Sequence, residues 1–109
     1  MIFLWAIVAM SVVEYLGDSS FKNYARGGKR YELIIGIVAY VILIKLLIQA
    51  LKSANLIYTN AMWDGISALV ETALAIFLLK ETLSNFTQWM GLLFIILGIV
   101  ALHFGKIPV

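Results

Sequence analysis

The sequence predicts an all-α integral membrane protein, four transmembrane helices joined by short loops, and three observations predict it. Hydrophobic residues make up 63% of the 109 positions and mean hydropathy is +1.02, whereas charged residues reach only 13%, too few to coat a water-soluble surface. Apolar stretches of about 20 residues, the length that crosses a hydrocarbon core, recur four times along the chain. The stretches between them are too short for a soluble module and force neighbouring helices antiparallel. One four-helix domain over residues 1–109 is therefore expected, with no linker and no internal repeat. The chain has no Cys, which excludes disulfides and thiolate metal sites. Its basic residues never line one long polar surface, so a nucleic-acid partner is not expected; neither is an enzymatic activity, a metal or a cofactor.

The first span covers about residues 2–21 and is interrupted by one acid in Val12-Val13-Glu14-Tyr15-Leu16-Gly17. Its start lacks the positive region and small-residue cleavage site of a removable signal, so it is expected to be a true span. The polar connection Lys22 to Arg30 follows, and the paired glycines Gly27 and Gly28 break the helix there. The second span, about 31–52, is continuously apolar from Leu33 to Ile44 before Lys45. Ser53-Ala54-Asn55 turn the chain into the third span, about 56–79. Lys80 to Asn85 form the next turn, with Asn85 and Gln88 spaced to cap the fourth span, about 86–104, as a capping box would.

Basic residues set the orientation. The first and third connections hold Lys22, Arg26, Lys29, Arg30 and Lys80 against Lys52 and Lys106 on the opposite side, five to two. The positive-inside rule then places the first and third loops in the cytoplasm of a cytoplasmic-type membrane, with both termini outside. Trp5, Tyr24, Tyr31 and Trp89 fall near span ends, where aromatic belts sit. Asn85-Phe86-Thr87 matches a glycosylation sequon, but it abuts a span on the cytoplasmic side and is read as coincidence.

Charges inside spans carry the functional question. Glu14 lies roughly 18 Å along its helix, deep in the hydrocarbon, where a charge costs at least ~2.5–3.5 kcal/mol on the insertion scale. It is either a protonated or paired structural acid or a proton- and cation-binding site. Asp18 and Lys22 follow on the same helix face and are expected to form a surface pair at the membrane edge. Lys45 and Asp64 lie at matching depths, and a structural ion pair between them would remove the penalty of burying either alone. Glu71 is two turns beyond Asp64 and nearer the depth of Glu14. Carboxylates without a matching cation either share protons or await a positive substrate. Helix three also carries Asn60, Trp63 and Ser67; Trp63 either packs in the core or offers its face to a cation beside the acids. Gly91, Gly98 and Gly105 recur every seven residues on helix four, a stripe for close helix contact within the bundle or in a dimer. His103 is read as interfacial.

Together these residues resemble the small multidrug resistance family of the drug/metabolite transporter superfamily, over the entire chain. The family's membrane carboxylate matches Glu14 within Glu14-x-x-Gly17, followed by Lys22. Its helix-two tyrosine matches Tyr40, and Gln49 is also similar. Its helix-three Trp-x-Gly matches Trp63-Asp64-Gly65, and Leu79-Lys80-Glu81-Thr82-Leu83 resembles the third turn of the wider superfamily. Gly91 and Gly98 match the glycines of the family's dimer interface.

The resemblance implies a proton-coupled exporter of small organic cations. Glu14 from two subunits would share one chamber and exchange protons for cation, with no cofactor beyond the coupling proton. Trp63 and Tyr40 would flank the substrate, with Asn60 and Ser67 lining the chamber and Glu71 and Asp64 adding charge. Helix four would dimerise the chain in the lipid bilayer. Asn60 stands where the family's drug exporters have an aromatic, Asn55 where a proline is expected, and Lys45, Asp64 and Glu71 are extra charges. More acids fit a smaller or multiply charged cation, such as a guanidinium compound or a polyamine. The basic bias sits uneasily with an antiparallel homodimer and leaves a paired heterodimer or a parallel dimer open. Two other classes share the four-helix plan: a small flippase component for lipid-linked sugar phosphates, which would favour Lys45 and Arg26, and a non-transporting membrane scaffold.

Overall fold

Four α-helices form in the computed structural model, which describes residues 2–105: α1 (Ile2–Ala25), α2 (Arg30–Leu51), α3 (Leu56–Leu78) and α4 (Phe86–Phe104). Lys106, counted above in the charge balance, lies outside the described residues. Helices α2, α3 and α4 are each long and apolar enough to cross a bilayer. The 24 residues of α1 supply the length, about 36 Å at 1.5 Å per residue, and it runs four residues further than the apolar stretch predicts.

Each connection is closed by local chemistry. Gly27, at φ 92°, ends α1 in the left-handed region that a residue without Cβ enters freely, and the Gly28 N–H donates to the Asn23 carbonyl at 2.9 Å. Between α2 and α3, Asn55 is the N-cap of α3: its side chain accepts from the Tyr58 N–H at 3.0 Å. The residue that stands in place of a turn proline thus starts a helix by a different device. At α4, Asn85 accepts from the Gln88 N–H at 3.1 Å and the Gln88 side chain accepts from the Ser84 N–H at 2.7 Å. The reciprocal bonding of a capping box is present, its return bond landing one residue upstream of the cap.

Helix α1 is the centre of the fold. It packs along α2 and α3, α4 leans on α3 alone, and α2 and α3 barely touch. The molecule is correspondingly flat, 45 × 36 × 18 Å, a layer of helices rather than a closed bundle. Gly17 permits the close α1–α2 approach: a Cβ there would meet the Tyr40 ring at 2.8 Å. Gly65 does the same for α3 and α4, where a Cβ would run into Ile99. The α2–α3 end of the layer is its apolar core. There Phe3, Ile7 and Met10 of α1 meet Leu43 and Ala50 of α2 and Tyr58 and Met62 of α3. The Phe3 and Tyr58 rings are 5.3 Å apart.

Helix α4 has no buried residue among those described, and Gly91 and Gly98 face open space on its outer side. The glycine stripe is therefore not used within the bundle of one chain.

Candidate functional site

Toward the other end of the layer, the faces of α1, α2 and α3 turn polar. Glu14 and Asp18, one turn apart on α1, project to the same side and meet Glu71 of α3. Carboxylate oxygens of these three residues lie within 4.8 Å of one another, and all three are half-buried. Glu14 is held from α3. Its Oε1 accepts from Trp63 Nε1–H at 3.2 Å and from the Ser67 hydroxyl. Trp63 and Ser67 are four residues apart on α3, so one helix face supplies both donors. Asp18 is held from the other side, where its Oδ1 accepts from the Tyr40 hydroxyl of α2. The Tyr40 ring is braced by Phe21 at 5.5 Å, tilted by 38°.

Within this cluster no Lys or Arg neutralises the acids: the one ion pair among the described residues joins Lys22 to Glu81 in the α3–α4 connection. Two expected pairings are thereby corrected. Asp18 does not pair with Lys22; it turns into the chamber to Tyr40, and Lys22 reaches across to Glu81. Nor do Lys45 and Asp64 pair. Both are exposed, because α1 stands between α2 and α3 and each charge sits on a face turned away from it. Asn60 shares the exposed side of α3 with Asp64, apart from the acids. Of the site residues read from sequence, the fold brings together Glu14, Glu71, Trp63, Ser67 and Tyr40, and leaves out Asp64, Asn60 and Lys45.

Asp18 is the site member that the sequence reading assigned elsewhere. Its i+4 spacing from Glu14 was the available signal, since that spacing puts two acids on one helix face. Three carboxylates with two hydroxyls and an indole N–H offer a negative, hydrogen-bonding bed with an aromatic wall. That donor set suits a cation carrying N–H groups or a compact organic charge. A separate cavity of about 250 Å³, lined by Trp5, Ala6, Ala9, Leu46 and Gln49, is apolar and contains none of these acids.

The fold and the site define a class: a small helical membrane protein with an acid chamber open on one face of a helical layer. The family model described as Small Multidrug Resistance protein matches residues 1–99, and the chain belongs to that family, whose members are transporters rather than enzymes. A curated relative is the quaternary ammonium compound-resistance protein QacH of Staphylococcus saprophyticus. It is 27% identical over 96 residues, covering 87% of this chain and 89% of the relative.

Proposed function

We propose that this chain exports small organic cations in exchange for protons, with Glu14 as the group that holds one or the other. The observation that carries the reading is the position of Glu14, fastened by Trp63 and Ser67 beside two further acids and with no basic residue against it. Burial disfavours the ionised form of a carboxylate, and a cation arriving beside it favours that form, so proton and cation compete. Exchange is obligatory because an empty, ionised cluster in lipid is costly. QacH is named for resistance to quaternary ammonium compounds, which are organic cations, and its relationship supports the same substrate class here. The extra acids Asp18 and Glu71 favour a small or multiply charged member of that class, a guanidinium compound or a polyamine.

The open face of the chamber and the uncovered outer side of α4 support a dimer, either of two copies or with a paired chain. Gly91 and Gly98 would permit the approach of a second α4. Two such layers rocking about a shared midplane site would give alternating access. The first and third loops would face the cytoplasm.

The test is proton release from detergent-solubilised protein on adding tetraphenylphosphonium, guanidinium or spermidine. Release that vanishes in Glu14→Gln supports the exchanger. Release that persists in that variant overturns the site. A flippase component for anionic lipids would ignore the cations, and a scaffold would ignore every addition.

A further inference from the structure

We propose that the Lys22–Glu81 ion pair is a gate across the path from the side of the α1–α2 and α3–α4 connections to the acid chamber. Glu81 is the positioning residue that holds Lys22 in place. The inference rests on the reading that the chamber is the transport site.

Two cavities meet at this pair. The inner one, about 230 Å³, is bounded by Asp18 and Glu71 of the chamber, by Ser19 and Ala75, and by Lys22, Leu79 and Glu81. The outer one, about 680 Å³, is bounded by the same Lys22, Leu79 and Glu81 together with Arg26 and Thr82. The two spaces thus share a wall made of three side chains, and the ion pair spans it from α1 to the α3–α4 connection. Parting Lys22 from Glu81 opens the wall on the loop side, between the outer space and the acids.

The backbone is shaped to aim Glu81. Helix α3 ends at Leu78, and Lys80 follows in the left-handed region at φ 55°, an uncommon conformation for a residue with a long side chain. The Glu81 N–H then folds back onto the Ala75 carbonyl at 3.1 Å. Such a conformation persists only where surrounding contacts hold it. This is the Leu79–Leu83 stretch that the sequence singles out, and the acid chamber itself makes no use of it.

The pair is also suited to opening. Its side chains are 34% and 45% exposed, and exposed ion pairs are weak and screened by salt. A cation entering the outer space meets Glu81, the carboxylate in its lining, and competes with Lys22 for it. Lys22 released from Glu81 leaves the passage toward Asp18 and Glu71.

The absence of cysteine makes the gate measurable without transport. Ser19→Cys places a thiol in the inner cavity, three residues before Lys22 on α1, and N-ethylmaleimide, a neutral reagent, reports access to it in detergent-solubilised protein. Glu81→Gln and Lys22→Gln, each added to Ser19→Cys, are expected to speed the reaction about two- to fivefold, the size an exposed pair supports. Reversing the charges with Lys22→Glu and Glu81→Lys together is expected to restore the slow rate. Raising salt should accelerate the protein with the native pair and leave the Gln variants unmoved. Equal rates in all variants, or single variants moving in opposite directions as a direct effect of charge on the thiol would produce, overturn the gate. Should the single variants misfold, the salt response of Ser19→Cys alone decides: a rate that does not rise with salt overturns the gate. Unchanged rates alongside Glu14-dependent proton release sink the gate alone. Altered rates without such release sink the transport reading.

Discussion

The two ends of the helical layer are built on opposite terms. At the α2–α3 end, Ile7, Met10 and Met62 have no exposed surface and belong to one apolar cluster. At the α1–α2 end, Glu14, Asp18, Tyr40 and Glu71 stay half-open; Glu14 accepts two hydrogen bonds from α3 and Asp18 one from α2. Lipid tails are as apolar as Leu, so the first end gains from close van der Waals packing rather than from escape out of water. The second end forgoes that packing to keep charge reachable. The contrast teaches that one part of α1 anchors the fold while the next two turns of the same helix hold the acids.

That division can be broken by experiment, the largest effect first. Glu14→Gln is nearly isosteric and should leave helix content and unfolding in detergent unchanged while abolishing cation-evoked proton release. A fold lost along with the release would mean that the chamber is architectural. Met10→Ala acts at the other end. Truncating a fully buried Met costs roughly 2–5 kcal/mol in packed cores, so chemical unfolding should shift strongly while the folded fraction keeps its proton release. Loss of release per folded molecule would show that the two ends are coupled. Tyr40→Phe removes the hydroxyl on Asp18 and keeps the ring against Phe21. Its stability change should stay near the ~1 kcal/mol of a single hydrogen bond, with cation affinity altered severalfold. An affinity identical to that of the unmodified chain would place Asp18 outside the site. Asp64→Asn should have the smallest effect, less than about twofold on cation affinity, because Asp64 faces away from the acids; the factor corresponds to well under 1.4 kcal/mol.

Much of the fold was legible because membrane helices announce themselves by length and apolarity. Gly27 and Gly28 in the first connection, and Asn85 with Gln88 at the last helix, act through short-range chemistry that spacing reveals. Glu14 was legible for a different reason: an acid amid Val, Tyr and Leu is costly enough that its position alone marks it. Trp63 and Ser67 are expected in the chamber from the family resemblance, and they meet Glu14 because α1 and α3 are neighbours. The Lys45–Asp64 pairing failed because matched depth is a necessary condition and not a sufficient one. Two residues at one level of the bilayer still need facing helix sides, and α1 occupies the place between theirs.

The sequence by itself determined the solvent, the number and order of the helices, the caps that end them and the acid that must be explained. These follow from composition and from interactions within about four residues, which any reader of the chain can count. Only the tertiary structure decided that Asp18 joins Glu14 and Glu71, that Lys22 takes Glu81 instead, and that Asp64 and Lys45 look outward. Those outcomes depend on which helix lies between which others and on how each is rotated about its axis. Rotation is set by the sum of small packing contacts such as Gly17 on Tyr40 and Gly65 on Ile99, and no local pattern encodes that sum.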